Sequence, residues 1–232
     1  ICPNLCMQAC TRARLDKPLA IDRLGELSLD LPAPEKAAPT GHKIAVIGGG
    51  PAGMSAAWQL ALKGHTVDLY ESSGKLGGKI ELCIPRERLP HEILEKETSR
   101  FKELGVNLHL NTKVDKNKFN EIYKGHEVVA LACGAHQPGK ITFPGSEDTV
   151  SAYDFLKDIN LGKKPELKGK KVVVIGAGNV GMDVASEAYN NGAESVVAVD
   201  IQKPSAFGEE MKIAMAKGTH ALWPKLTDRY DK

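Results

Sequence analysis

Hydrophobic and polar positions are distributed unevenly along this chain. Residues 1–31 are largely polar, and Leu31–Gly41 carries three prolines among small residues, the composition of an extended linker. Beyond it the pattern changes. Lys43–Ile47 (KIAVI) is an apolar run that predicts a strand, glycines follow, Ala52–Lys63 has helical spacing, and Thr66–Glu71 (TVDLYE) predicts a second strand. Strand, tight turn, helix, strand is the opening of a doubly wound α/β sheet. Residues 72–90 read as irregular. His91–Leu104 predicts a helix with Ile93, Leu94, Phe101 and Leu104 on one face and a charged, solvated opposite face. Val106–Leu110 and Val128–Ala132 predict strands, Ile141–Phe143 a further short one, and Ala152–Lys157 a short helix.

After a Gly/Lys/Pro stretch at 162–170 the opening repeats. Lys171–Ile175 (KVVVI) predicts a strand, Asn179–Tyr189 a helix, Ser195–Asp200 (SVVAVD) a strand and Gly208–Lys217 another helix. VIGGGPAG (46–53) and VIGAGNVG (174–181) are two copies of one device, too far apart for a solenoid repeat.

The chemistry of that device is specific. In the first copy Gly48 allows a tight turn, Gly50 lets backbone approach a pyrophosphate, and Gly53 lets the helix pack close to the strand. Pro51 and Ala52 open the helix, whose free N–H groups and dipole favour phosphate. Glu71, 23 residues after Gly48, is placed to accept hydrogen bonds from ribose hydroxyls. The second copy is Gly176, Gly178 and Gly181, with Asn179 and Val180 opening the helix. Asp200 ends its next strand, 24 residues after Gly176. Context, not the glycines alone, makes both dinucleotide sites. A carboxylate at Asp200 bonds a free 2′-OH and repels a 2′-phosphate, favouring NAD(H) over NADP(H), although Lys203 lies close by in sequence. Two such units in tandem predict FAD on one and a nicotinamide on the other. Hydride transfer between them belongs to the cofactors and needs no protein acid or base, so no catalytic residue is named.

Composition narrows the partners. The 232 residues carry 31 Lys+Arg and 29 Asp+Glu, a net charge of +2, with 42% hydrophobic residues. That is the balance of a globular protein and argues against nucleic acid. No run approaches the ~18 apolar residues of a membrane span. Five cysteines are too few for a disulfide scaffold. Cys2, Cys6 and Cys10 are spaced four apart, so a helix would put all three on one face, a thiolate set suited to a metal or an iron–sulfur cluster. The competing reading is three free thiols, and zinc lacks an obvious fourth ligand. Cys83 and Cys133 read as compact apolar residues. The remaining histidines form no metal spacing, and Trp58 and Trp223 read as packing residues. Opening on Ile1 with three cysteines in ten residues, the chain is expected to be a piece of something longer.

These residues resemble the small (beta) subunit of glutamate synthase and the related flavin region of dihydropyrimidine dehydrogenase. The likeness runs through CPNLCMQACTRARLDKPLAI (2–21), VIGGGPAGMSAA (46–57), GGKIELCIPRERLP (77–90), LGVNLHLNTKV (104–114), LACGA (131–135), VIGAGNVGMDVA (174–185) and GEEMKIAMAKG (208–218). The Cys segment with IPRERLP is its most specific part. The resemblance implies two tandem Rossmann-like units, FAD-binding then NAD(P)-binding, preceded by a truncated Cys-rich iron–sulfur segment. The domain reading is 1–31 for that segment, 32–42 for a linker, 43–166 for the FAD-binding domain and 167–232 for the NAD(P)-binding domain. It implies FAD contacts at Gly48, Gly49, Gly50, Pro51, Ala52, Gly53, Glu71, Gly78, Lys79, Arg88 and Val114, and at Ala132 to Gly134. Cys133 replaces that segment's threonine. The cysteines would be shared between two clusters, other ligands lying upstream; no ligand is assigned at Gly25.

The family's NADPH-binding arginine falls on Ile201 here, just after Asp200, which agrees with the preference for NADH. The family also implies a returning segment with a Gly-Asp motif at the flavin, not found after Tyr230, so FAD binding by these residues alone is expected to be weak. The implied reaction takes hydride from NADH to FAD, then single electrons through iron–sulfur clusters to an electron-accepting subunit. That partner is glutamate synthase large-subunit-like or belongs to another reductase, of pyrimidine or enoate type. The alternative is a nucleotide-binding module without turnover. A reducing, cytoplasmic location suits the free thiols.

Overall fold

A computed structural model describes residues 4–139 and 141–230. Packing divides the chain into two units. The first comprises Gly25–Leu82 and Leu89–His136; the second comprises the residues before Gly25, Cys83–Arg88 and the residues from Gln137 onward.

The first unit holds β1 (Lys43–Ile47), β2 (Thr66–Tyr70), β3 (Asn107–His109) and β4 (Val128–Leu131), all parallel, in the order β3-β2-β1-β4. After β3 the chain crosses to the other side of β1, which makes the carboxyl ends of β1 and β4 a topological switch point, the place where open α/β sheets bind ligands. Both sheet faces are covered, as a parallel sheet requires. Val46, Val67 and Leu69 pack beneath Ala57 and Ala61 of an α-helix, Pro51–Leu62, and against Phe101 and Leu104 at the end of a second, His91–Glu103. Trp58 packs edge-on to Phe101 with Arg100 stacked over it, a packing role as expected. The opposite face buries Ala45, Ile47 and Tyr70 under Ile122 of Lys116–Gly125. In chain order the helices are α1 (Leu5–Gln8), α2 (Asp22–Leu27), α3 (Pro51–Leu62), α4 (Lys79–Cys83), α5 (His91–Glu103), α6 (Lys116–Gly125), α7 (Ala152–Asn160), α8 (Asn179–Asn190) and α9 (Gly208–Ala216).

On the α6 side, Asp68 sits deep in β2. His109 Nε2 lies 2.7 Å from one carboxylate oxygen and His126 Nε2 3.0 Å from the other, with Lys43 at 3.4 Å. Burial pushes this carboxyl up, but the imidazole hydrogen bonds and the Lys43 charge outweigh it and hold it down at about 2.

The second unit is built on β5 (Lys171–Ile175), β6 (Ser195–Val199) and β7 (His220–Leu222), parallel and in that order. Val174, Val196 and Ala198 form its core with Met182, Ala185 and Ala188 of α8 and Ala214 of α9. Phe155 of α7 and Leu167 pack against this core. Residues 137–166 therefore group with the second sheet, and the packing boundary falls earlier than the expected one at 166/167.

The α/β class and the paired strand–glycine–helix openings are as expected. Three local readings are corrected and two elements are added. Ile141–Phe143 is not a strand: it finds no ladder partner among the described residues. Residues 72–90 are not wholly irregular, since α4 forms there. The helix at Lys116–Gly125 and the strand β7 went unread. No continuous helix joins Cys6 to Cys10: α1 ends at Gln8, and Cys10 is extended at the head of a separate 3-10 turn, Thr11–Arg14. Among the described residues no helix is long and apolar enough to cross a membrane.

Candidate functional site: two glycine loops

The first loop follows β1. Gly48 has φ +112°, a left-handed conformation suited to glycine, and a Cβ there would lie 2.3 Å from the Ala132 carbonyl oxygen. A Cβ on Gly53 would lie 1.8 Å from the Gly48 carbonyl oxygen, so the helix reaches the strand only because that side chain is missing. Gly50 is different. A Cβ there would meet nothing nearer than Gly78 Cα at 3.9 Å. No protein neighbour demands a glycine at 50, and an open cradle is left at the start of α3, whose N-terminus has no side-chain cap. That geometry fits a pyrophosphate bound by backbone N–H groups.

Glu71 closes the loop from the end of β2. It is buried, and its carboxylate accepts hydrogen bonds from Gly49 N–H (2.7 Å), Ser73 N–H (2.7 Å) and the Ser72 hydroxyl (3.0 Å). Burial alone would raise its pKa; these donors more than offset that and hold it below the usual carboxylate range. An acceptor-only carboxylate beside the loop is what a ribose diol needs.

The second loop repeats the positive-φ turn, the helix-packing glycine and the backbone-to-carboxylate bond, although a Cβ on Gly176 would meet no neighbour within 4 Å and Asp200 is only half-buried. Gly176 has φ +103°, and a Cβ on Gly181 would lie 2.0 Å from the Gly176 carbonyl oxygen. A Cβ on Gly178 would only touch Ser205 Oγ at 3.6 Å, an ordinary contact. Asp200 accepts from Ala177 N–H at 2.8 Å, the counterpart of the Glu71–Gly49 bond, and from Gln202 N–H at 3.2 Å. These backbone donors hold its carboxyl below the usual range, so it is an anion near neutrality. Asn179 opens α8 and accepts a hydrogen bond from Phe207 N–H at 2.9 Å; Val180 is exposed.

The chain matches the pyridine nucleotide-disulphide oxidoreductase description over residues 42–220, a span that takes in both loops and both carboxylates. It belongs to that family.

Relatives within it carry several kinds of chemistry in their names. The chain is 34% identical over 229 residues to the NADP(+)-dependent formate dehydrogenase subunit beta of Moorella thermoacetica, covering 84% of this chain and 32% of that protein. It is 31% identical to glutamate synthase [NADH] of Schizosaccharomyces pombe, covering 84% of this chain and 10% of that protein. It is also 31% identical to the NAD-dependent dihydropyrimidine dehydrogenase subunit PreT of Salmonella typhimurium, over 89% of this chain and 52% of that one. Thus it spans between a tenth and about half of these relatives. Among solved structures it superposes on a 2-naphthoyl-CoA reductase complex with a TM-score of 0.69 at 23% identity, covering 86% of this chain and 30% of that one. Lactococcus lactis thioredoxin reductase gives 0.59 at 18% identity, over 82% and 67% of the two chains. At these identities the superpositions speak for the fold.

Other expected contacts of this oxidoreductase-family chain are spread over both units. Gly78, with φ +53°, packs against Gly50, so it does border the first loop. Ala132 and Gly134 follow β4 at the switch point, Ala132 beside Gly48. Cys133 is exposed and not buried, two residues past the end of β4. Cys83 is half-buried. Lys79 starts α4 and is exposed. Val114 is half-buried and packs on the Ile47–Tyr70 cluster. Arg88 lies in the second unit and is held by Asp183 and Glu210. Neither carboxylate was singled out from sequence. The available signal for Asp183 was an acid beside Met182 on the helix face that supplies Ala185 and Ala188 to the core. Burial pushes Asp183 up and Arg88 draws it down, while Glu210 and Glu187 push it further, to about 6.

Cys2 lies outside the described residues. Cys6 is exposed, and Cys10 is held below the usual thiol range by backbone N–H donors from Leu19, Arg12 and Ala13. Low thiol pKa suits a metal ligand. Among the described residues, however, no three His, Cys, Asp or Glu groups come together as a metal site.

Proposed function

We propose that this chain is the dinucleotide-handling part of an NAD(P)H-dependent flavoprotein oxidoreductase, with FAD on the first glycine loop and NADH on the second. The observation that carries this is the duplicated cradle: at Gly50 and Gly178 the protein leaves room that no protein atom fills, each beside an ionised carboxylate. When bound, the nicotinamide supplies a hydride and the flavin accepts it, passing electrons on singly. The chain's own part is to bind and orient. Gly48–Gly53 and the uncapped end of α3 hold one pyrophosphate, with Glu71 on its ribose and Gly78 bordering the cradle. Lys79, Val114, Ala132 and Gly134 are further FAD contacts by the family likeness. Gly176, Gly178 and Gly181, with Asn179 and Val180 at the head of α8, hold the other pyrophosphate. Asp200 accepts from its ribose and repels a 2′-phosphate.

Downstream, the reading is glutamate synthase small-subunit-like: electrons leave through iron–sulfur clusters, to which Cys2, Cys6 and Cys10 contribute sulfur, toward an electron-accepting partner subunit. The names of the relatives, which include formate, glutamate and pyrimidine enzymes, support an electron-input role and differ over the acceptor.

The test is an anaerobic absorbance titration of the chain with FAD, then with NADH or NADPH. The expected result is a bound-flavin spectrum that bleaches with NADH and much less with NADPH. Flavin that binds yet bleaches with neither nucleotide refutes hydride transfer by these residues. Equal bleaching by both refutes the role given to Asp200.

A further inference from the structure

Six residues, Cys83–Arg88, interrupt the first unit's sequence yet pack as part of the second unit. The Ile84 carbonyl accepts from Asn160 Nδ2 at 2.9 Å on α7. Glu87 pairs with Lys217 at 2.6 Å, just past α9. At the end of the strap, Arg88 Nη1 donates to both oxygens of Asp183 on α8, at 2.8 and 2.7 Å, while Nη2 donates to Glu210 on α9. All three side chains are about nine-tenths buried, at 10, 11 and 13% exposure. Asn179 extends the network. Its Nδ2 donates to the same Glu210 oxygen at 3.4 Å, and its Oδ1 accepts from Phe207 N–H. Phe207 ends the stretch from Ser205 that passes beside Gly178.

We propose that Arg88 is a positioning residue for the second glycine loop: its forked guanidinium ties α8 to α9 and thereby sets the width of the cleft that receives the pyridine dinucleotide. This rests on the reading of that loop as the NAD(H) site, and it moves Arg88 from the flavin contact implied by the family likeness to the nicotinamide unit. Removing the guanidinium leaves two buried carboxylates without a counter-ion, only the Asn179 amide still donating to Glu210, which drives the two helix starts apart. Lysine does not substitute, since a single ammonium lacks the planar fork that reaches two carboxylates on different helices. Glu187, one turn further along α8, adds like charge on the same side.

The experiment is calorimetric titration of the chain with NAD+ and, separately, with FAD, for wild type, Arg88→Met, Arg88→Lys and Lys217→Met. Circular dichroism checks the fold of each. The expected result is at least tenfold weaker NAD+ binding for Arg88→Met and at least threefold weaker for Arg88→Lys, with FAD affinity within twofold of wild type. Lys217→Met, which removes the Glu87 pair and the bond to Asn190 Oδ1 at the far end of α8 but leaves the Arg88 fork intact, is expected to bind NAD+ as wild type does. Should Arg88→Met fail to fold, Arg88→Lys decides: a folded lysine variant with NAD+ affinity within twofold of wild type overturns the proposal. Loss of FAD binding with NAD+ binding intact overturns it too and returns Arg88 to the flavin side. Equal loss in Lys217→Met overturns the assignment to Arg88. Wild-type chain that binds no NAD+ at all removes the functional reading itself, an outcome distinct from any difference among the variants.

Discussion

Replacing Gly50 with alanine separates a glycine kept for a ligand from one kept for the fold. The backbone at 50 has φ −77° and ψ −178°, open to any L-residue, and the added methyl meets no protein atom closer than 3.9 Å. Alanine is a poorer N-cap than glycine by roughly 0.5 kcal/mol. Against that, restricting the unfolded chain returns about 0.4–1 kcal/mol. The two nearly cancel, so Gly50→Ala is expected to unfold within about 1 kcal/mol of wild type. The methyl nevertheless stands where a pyrophosphate must approach the backbone, and FAD affinity is expected to fall at least tenfold, about 1.4 kcal/mol. Gly53→Ala is the contrast. Its methyl would lie 1.8 Å from the Gly48 carbonyl oxygen, so the helix or the turn must shift, at about 1–3 kcal/mol or more. The assays are quenching of flavin fluorescence on titration and urea unfolding followed by Trp58, which lies in the first unit, in a Trp223→Phe background. Gly50→Ala that binds FAD with wild-type affinity, or that loses as much stability as Gly53→Ala, refutes the reasoning.

Three further outcomes follow from the charges. Asp200→Asn keeps a hydrogen-bond acceptor near Ala177 but removes the negative charge, so the NADH-over-NADPH preference should shrink by about tenfold; unchanged ratios of dissociation constants count against it. Asp68 has a folded-state pKa of about 2, below its ordinary 3.8, so its stabilisation is present above pH 3.8 and lost as pH falls through about 2. It amounts to about 2 kcal/mol, and Asp68→Asn should flatten the acid limb of Trp58-monitored stability. Asp183 runs the other way. Its pKa rises from 3.8 to about 6, so the second unit should lose stability as pH climbs from 3.8 through 6. Trp223 fluorescence follows that unit, and Asp183→Asn should remove the slope.

Both loops were legible in sequence because their chemistry is local. A strand's apolar run, three glycines at fixed offsets and an acid ending the next strand lie within about 25 residues, and the helix-packing glycine of each loop answers to a neighbour a few positions back, Gly53 to Gly48 and Gly181 to Gly176. Even the Glu71–Gly49 and Asp200–Ala177 bonds are closed inside one strand–helix–strand unit. Helix α6 was missed because only Phe119 and Ile122 mark its inner face among charged residues; its Asp115 N-cap, bonded to Lys118 N–H, was the overlooked signal. Strand β7 is three residues long and exists through its pairing with β6, whereas the apolar Ile141–Phe143 lacks such a partner among the described residues and stays out of any ladder.

Arg88 shows the limit most directly. Its own motif is distinctive, but its partners stand 95 and 122 positions later, and no periodicity links an arginine in a strap to an aspartate on one helix and a glutamate on another. Turn geometry and strand patterning are decided by neighbours along the chain, where sterics and hydrogen bonds act over a few residues. Which charges meet in a buried site is decided by how the helices are packed, because only desolvation makes an unpaired charge costly enough to require its distant partners.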